Sequence, residues 1–209
     1  MNYTIDEGYL TKVTQELVRI NSTNPLLSPE GKGEADIAAY VADRLGEMGL
    51  DVKRSEIAPG RWNVVGTLKG MGGGRSLLLN AHMDTVGVDG MTSDPFSGEL
   101  REGRIYGRGA QDMKASLAAM LAAAKALVDA KIPLKGDLLI TGVADEEHSS
   151  IGTEGLVKEF SADAAIVTEP TDMHLCRAHR GFIWFEVEVF GRAAHGSRYA
   201  EGIDANMRR

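Results

Sequence analysis

The sequence predicts an α/β fold, in which a sheet is covered by helices on both of its faces. Apolar runs of strand length alternate along the chain with segments whose apolar residues recur at helical spacing. The 209 residues suffice for one good-sized domain, or for one domain and part of a second. A composition of 43% hydrophobic and 25% charged residues is ordinary for a globular protein.

The longer helices are predicted from periodicity and composition. Apolar residues recur at helical spacing over residues 10–20, with Asp6 as a candidate N-cap. A second amphipathic helix covers residues 37–48 and ends at Gly49. Residues 112–130 are dense in Ala and Leu and predict a third helix.

Strands are predicted where short apolar or alternating runs are bounded by Gly, Pro and polar residues. They cover residues 51–57, 62–68, 76–81, 137–144 and 164–168, with a short helix over residues 152–160. The last of these strands is predicted to be buried. The long polar, Gly-rich stretch over residues 87–109 is predicted to be a loop, and loops of this length are often functional.

The pattern changes towards the C-terminal end of the chain. Over residues 185–189, Phe and Val alternate with Glu, which predicts a strand with one solvent-facing side. A strand and a helical stub cannot bury a core of their own. We therefore expect one domain over residues 1–177 and the incomplete beginning of a second over residues 178–209.

Charge and cysteine content narrow the possible partners. The net charge is −7, and no stripe rich in Lys and Arg stands out, so nucleic acid is not an expected partner. No apolar segment is long enough to span a bilayer, so no membrane association is expected. The single cysteine, Cys176, allows no internal disulfide, which fits a cytoplasmic location.

Residues of the types that bind metals follow several of the apolar runs. Carboxylate and imidazole groups are ligands of divalent metals, and open α/β sheets bind ligands at the carboxyl ends of their strands. The residues in such positions are His82, Asp84, Asp145, Glu146, Glu147 and Glu169, with Asp112 at the start of the Ala-rich helix. The sequence therefore predicts that these groups converge on one metal-binding crevice.

Several of these residues also have a simpler interpretation. Asp112 is a possible helix N-cap, whereas as a ligand its carboxylate would bridge two cations. Glu169 is a possible exposed turn residue, and the Glu146–Glu147 pair is a possible start of a solvated loop. In the functional interpretation, one acid of that pair binds metal and the other serves as general base.

Several motifs together resemble those of the M20 metallopeptidase family, which includes deacylases and carboxypeptidases. They lie at residues 78–86, 94–96, 106–114, 145–147 and 168–171. The resemblance implies a three-layer αβα catalytic domain of the zinc-peptidase type, followed by the beginning of a ferredoxin-like lid and dimerisation domain. It also implies two divalent metal ions, usually zinc and sometimes cobalt or manganese.

The resemblance further implies a metal-ligand set. His82 would bind one ion and Glu169 would complete that site, while Glu147 would bind the second ion and Asp112 would bridge both. The family supplies a last His ligand near its C-terminus, and these 209 residues contain no match for it. The second site is therefore expected to be incomplete in this chain.

The remaining implied roles are catalytic. Glu146 would be the general base, and Asp84 would orient His82. His195 would reach the active site of a partner subunit and stabilise the oxyanion, so a homodimer is expected when the lid is complete. The peptide bond between Asp112 and Met113 would be cis.

The function expected from the resemblance is hydrolysis of an amide bond in an N-acyl amino acid or small peptide. A metal-activated water would attack, with Glu146 as general base. The alternative is an inactive truncated fragment with a partial metal site and no turnover. A nucleotide-binding α/β protein is disfavoured, because the sequence has no phosphate loop.

Overall fold

The computed structural model describes residues 4–178, 180–181, 183 and 185–207 of the chain. These residues form two compact units, Met1–Met173 and His174–Arg209. The division falls four residues before the boundary that we expected between residues 177 and 178.

The first unit is organised around a five-stranded mixed sheet with a separate two-stranded hairpin. Its strands are β1 (Asp51–Ala58), β2 (Arg61–Leu68), β3 (Leu77–His82), β4 (Glu99–Arg101), β5 (Arg104–Tyr106), β6 (Leu138–Val143) and β7 (Ala164–Val167). The order in the main sheet is β1-β2-β6-β3-β7, and β4 pairs with β5. Strands β6, β3 and β7 run parallel, whereas β1 and β2 pair antiparallel with their neighbours. The carboxyl ends of β3, β6 and β7 therefore meet at one edge of the sheet.

Four helices cover this sheet: α1 (Glu7–Arg19), α2 (Ala35–Glu47), α3 (Ala115–Asp129) and α4 (Ile151–Glu159). The predicted cap of α1 is confirmed, because the Asp6 carboxylate accepts the backbone N–H of Tyr9 at 2.9 Å. Gly49 follows the end of α2 with φ of +80°, a conformation that favours glycine.

The core lies on both faces of the sheet. Val64 and Ile140 belong to a cluster that includes buried side chains of α1, α2 and α3. On the opposite face, Val65 and Leu139 pack in a second cluster with Leu156 of α4. The predicted fold class, an α/β sheet with helices on both faces, is confirmed.

Two expectations for the first unit were wrong in detail. The strand predicted over residues 164–168 forms as β7 but is not buried, since its four residues are all exposed and Ile166 is 51% exposed. It is the edge strand and pairs only with β3. The polar stretch over residues 87–109 is not all loop, because it contains the hairpin of β4 and β5.

The second unit contains little regular structure in its described residues. Arg192 and Ile203 form an isolated antiparallel bridge, and Gly196–Glu201 form a short 3-10 turn. The strand predicted over residues 185–189 is not formed, and Phe185 is 82% exposed. An alternating pattern produces a strand only where a second strand pairs with it.

No helix among the described residues combines the length and the apolar character needed to cross a membrane.

Candidate metal centre

The sheet topology brings the predicted ligands to one edge. His82 is the last residue of β3, Glu146 and Glu147 follow β6, and Glu169 follows β7. Because these three strands are parallel, the residues just after them lie on the same side of the sheet.

His82 is the centre of this group, and its side chain is only 1% exposed. Its Nε2 lies 3.0 Å from Asp112 Oδ1, 3.7 Å from Glu146 Oε2 and 3.8 Å from Glu169 Oε1. Its Nδ1 lies 2.9 Å from the backbone carbonyl oxygen of Asp84. A carbonyl only accepts, so Nδ1 carries the donated proton, and in the neutral ring Nε2 keeps its lone pair for a ligand.

The donor set fits a divalent metal ion. Ligand atoms of His82, Asp112 and Glu169 all lie within 4.8 Å of one another. One imidazole with two carboxylates is a set that zinc, cobalt and manganese accept. The predicted grouping of these three residues is thus observed in the structure.

The electrostatics show that this position favours a positive charge. Burial favours the neutral imidazole, but the hydrogen bond with Asp112 and the charges of Asp84 and Glu169 outweigh it. Together they raise the pKa of His82 to about 11. A bound cation would interact with the same carboxylates and would displace the proton from His82.

Asp112 lies in an irregular helical turn, Ala110–Lys114, that precedes α3. Its peptide bond to Met113 is cis, as expected. Asp112 does not cap α3, because this helix begins at Ala115 with Lys114 in the cap position. The hydrogen bond with His82 lowers the pKa of the Asp112 carboxyl.

Burial, with a smaller contribution from nearby carboxylates, raises the pKa of two neighbouring acids. Burial, together with the charges of Asp112 and Asp84, raises the pKa of Glu147 to about 7. Burial likewise raises the pKa of Glu169, with a contribution from Glu146. Acids that titrate above their usual range lie where a cation or a transferable proton would be stabilised.

Asp84 holds its neighbours in a way that the sequence did not predict. Its carboxylate Oδ1 is 3.6 Å from His82 Nδ1, farther than its own carbonyl oxygen. The carboxylate instead accepts the backbone N–H groups of Glu146 at 3.0 Å and Glu147 at 3.3 Å. Asp84 thereby contacts His82 through its backbone carbonyl and the backbone of the Glu146–Glu147 pair through its carboxylate.

His195 belongs to the second unit. Its Nδ1 lies 2.9 Å from Ser197 Oγ. Its role in catalysis stays a prediction.

Three buried residues at this edge were missed by the sequence reasoning. They are Asn24, Glu34 and Arg61, which join Asp84 and Asp145 in one hydrogen-bonded network. Asn24 lies 60 residues from Asp84 along the chain and 121 residues from Asp145. Local pattern contains no signal for those pairings.

Comparisons with known proteins agree with this architecture. The chain is 35% identical to the N-formyl-4-amino-5-aminomethyl-2-methylpyrimidine deformylase of Bacillus subtilis (strain 168), and the match covers 88% of this chain and 46% of that protein. It thus spans about half the length of this curated relative.

Two solved structures share the fold. A tripeptidase from Staphylococcus aureus superposes with a TM-score of 0.68 at 27% identity, covering 97% of this chain and 54% of that one. An M20 family metallo-carboxypeptidase from Sulfolobus solfataricus gives a TM-score of 0.66 at 25% identity, covering 76% of this chain and 37% of the other.

The sequence profile of peptidase family M20/M25/M40 matches residues 78–195, more than half of the chain. This span includes His82, Asp112 and Glu169, the three residues whose ligand atoms converge. The chain belongs to the peptidase family M20/M25/M40.

Proposed function

We propose that this chain carries the metal-binding and catalytic residues of a hydrolase that cleaves an amide bond in a small N-acyl amino acid or peptide. The observation that carries the proposal is the convergence of three carboxylates within 3.8 Å of His82 Nε2. The names of the relatives, a deformylase, a tripeptidase and a metallo-carboxypeptidase, all denote cleavage of an amide bond.

His82, Asp112 and Glu169 are the ligands proposed for one divalent ion, and zinc suits this mixture of nitrogen and oxygen donors. Glu147, with Asp112 as the shared ligand, is proposed for a second ion. When bound, such ions polarise the substrate carbonyl and make water more acidic at neutral pH.

Glu146 is proposed as the general base that takes a proton from the attacking water and returns it to the leaving amine. Its carboxylate lies 3.7 Å from His82 Nε2, which places it next to the ligands. The hydrogen bond from its backbone N–H to Asp84 fixes the position of its main chain. Stabilisation of the oxyanion by His195 of a second subunit in a homodimer belongs to the same proposal.

A second candidate concerns the chain by itself. It would bind one ion at His82, Asp112 and Glu169 without turnover. The ligand cluster favours this candidate, since His82, Asp112 and Glu169 are the group of metal-type ligands found to converge among the described residues. Metal analysis of the isolated chain separates the two: two tightly held ions would contradict the second candidate, and one or none would support it.

The activity is tested on the complete protein loaded with zinc or cobalt. N-formyl, N-acetyl and N-succinyl amino acids and dipeptides would be screened for hydrolysis, and the best substrate would be used for the Glu146→Gln variant. We expect this variant to retain its metal and to lose about 10²- to 10⁴-fold in kcat, the usual contribution of a general base.

The matched control is Glu154→Gln, which alters an exposed glutamate paired with Lys158. This control should hydrolyse the substrate as fast as the wild type does. Turnover of Glu146→Gln at the wild-type rate would disprove the role of Glu146.

A further inference from the structure

The amide group of Asn24 lies between two buried carboxylates. Its Nδ2 donates to Asp84 Oδ2 at 2.8 Å and to Asp145 Oδ1 at 2.9 Å. Its Oδ1 accepts the backbone N–H of Leu26 at 3.0 Å. Carboxylates only accept, so the NH2 end of the amide must face them, and both of its hydrogens are used.

The backbone of Asn24 is held in place next to the end of β3. Its N–H donates to the carbonyl of Thr85 at 2.9 Å, and the N–H of Thr85 donates to the carbonyl of Ser22 at 3.2 Å. Thr23 and Thr85 form a parallel bridge. The loop that carries Asn24 thus pairs with the residues that follow His82.

The two carboxylates bridged by Asn24 follow neighbouring parallel strands. Asp84 follows β3 and contacts both His82 and the backbone of Glu146, as described above. Asp145 follows β6 and directly precedes Glu146. Asn24 is therefore a second link between the two strand ends, beside the direct hydrogen bonds that Glu146 and Glu147 donate to Asp84.

Asp145 is itself firmly held. Arg61 Nη2 lies 3.0 Å from Asp145 Oδ1, and Ser149 donates its hydroxyl to Asp145 Oδ2. Arg61 also binds both carboxylate oxygens of Glu34 at 2.6 Å. Burial favours protonated Asp145, but hydrogen bonds from Ser149 and Asn24 and the charge of Arg61 lower its pKa.

The position of Asn24 matters because Asp84 and Asp145 carry like charges in a buried environment. Both side chains are fully buried, and such charges separate unless donors satisfy them. Arg61 compensates Asp145 from one side, but Asn24 contacts both carboxylates at once. Loss of this amide would remove one donor from each of the two carboxylates.

We propose that Asn24 is a positioning residue that fixes the spacing between His82 and the Glu146–Glu147 pair by bridging Asp84 and Asp145. It acts through these two aspartates, and its amide hydrogens are both committed to them. The inference rests on the proposed function, because the spacing that it sets matters for metal binding.

The test compares Co²⁺ binding by the complete wild-type protein with that of Asn24→Leu and Asn24→Asp. The leucine variant removes both donors, and the aspartate variant keeps the size of the side chain but replaces its donors with acceptors. Visible absorption reports the ligand geometry around Co²⁺, and titration gives its affinity. We expect both variants to bind Co²⁺ about 10-fold or more weakly, with an altered spectrum, as found for residues that orient metal ligands.

Ser149→Ala is the matched control. It removes a hydrogen bond to Asp145 but leaves the link between Asp145 and Asp84 intact. Its Co²⁺ affinity and spectrum should equal those of the wild type, even if its melting temperature falls. Circular dichroism would establish that each variant is folded.

A measurement on the wild type covers the case in which neither Asn24 variant folds. The side-chain NH2 signals of selectively labelled Asn24 should be protected from hydrogen exchange and should shift when Zn²⁺ binds. Unprotected signals, or folded Asn24 variants with wild-type Co²⁺ affinity and spectrum, would overturn the inference. Failure of the wild type to bind Co²⁺ would instead overturn the proposed function.

Discussion

The two sides of the candidate metal centre are built differently. The side chains of His82 and Asp145 are 1% and 0% exposed, and several hydrogen bonds hold each of them. Asp112 and Glu169 have side-chain exposures of 55% and 34%, and Glu169 follows the exposed edge strand β7. The imidazole of His82 and the aspartate that precedes the Glu146–Glu147 pair are thus buried and hydrogen-bonded, whereas Asp112 and Glu169 lie on a solvent-exposed side.

The largest effect on this difference is expected from removing the buried positive charge of Arg61, which lies on the side of His82 and Asp145. Arg61→Met leaves Glu34 and Asp145 without their counter-charge. We expect the free energy of unfolding of this chain to fall by about 3–5 kcal/mol, as is usual when one partner of a buried pair is removed. Urea unfolding followed by circular dichroism measures this loss.

The control for this substitution is Lys53→Met, which breaks an exposed ion pair with Glu159. These side chains are 57% and 45% exposed, so the pair contributes at most about 1 kcal/mol. Equal losses in Arg61→Met and Lys53→Met would contradict the importance of the buried network.

A second prediction compares the same residue type in two strands. Ile140 in β6 is fully buried, so Ile140→Ala should cost about 2–5 kcal/mol of unfolding free energy. Ile166 in β7 is 51% exposed, and Ile166→Ala should cost less than about 1 kcal/mol, because less apolar area leaves the core. Denaturant unfolding of both variants gives the difference, and equal costs would show that another segment covers β7.

The smallest expected effect concerns pH and Asp163, which directly precedes the exposed edge strand β7. The Asp163 carboxylate accepts the backbone N–H and the hydroxyl of Ser76 at 2.7 and 2.8 Å, which lowers its pKa. A lowered native pKa contributes stability above the unfolded pKa of about 3.9, and this contribution is lost as the pH falls through the native value. The melting temperature of Asp163→Ala should therefore lie below that of the wild type at pH 6 and approach it in acid.

Asp163→Asn provides the comparison for this pH effect. Its amide oxygen still accepts from Ser76, but it does not titrate. The stability difference between the Ala and Asn variants should stay constant with pH. A wild-type advantage over Asp163→Ala that does not shrink in acid would refute the assignment.

Much of the fold was predictable because hydrophobic periodicity is a local property. The helix that begins after Asp6 and the strands predicted over residues 62–68 and 137–144 lie close to their predicted bounds. The β4–β5 hairpin was missed, since its turn residues, Glu102 and Gly103, lack the Asn-Gly pattern typical of tight hairpins. An apolar run also looks the same in a central strand and in an exposed edge strand, which explains the error about β7.

The candidate site was predictable only in part, because some of its contacts join residues that are far apart in the sequence. His82, Glu147 and Glu169 lie at or just after strand ends and Asp112 precedes α3, and short motifs mark each of them. The hydrogen bonds of Asn24 reach 60 and 121 residues along the chain, to Asp84 and Asp145. Pairings over such distances depend on how strands assemble, and no local pattern records them.

The backbone of Asp145 adds a constraint on which amino acids this position tolerates. Its φ of +62° favours Gly, Asn and Asp over other residues. Glycine offers Arg61 and Ser149 no acceptor, and asparagine brings no charge to balance the guanidinium. Backbone and side chain therefore select the same single residue here, whereas the exposed Glu102, with φ of +52°, has only the backbone requirement to meet.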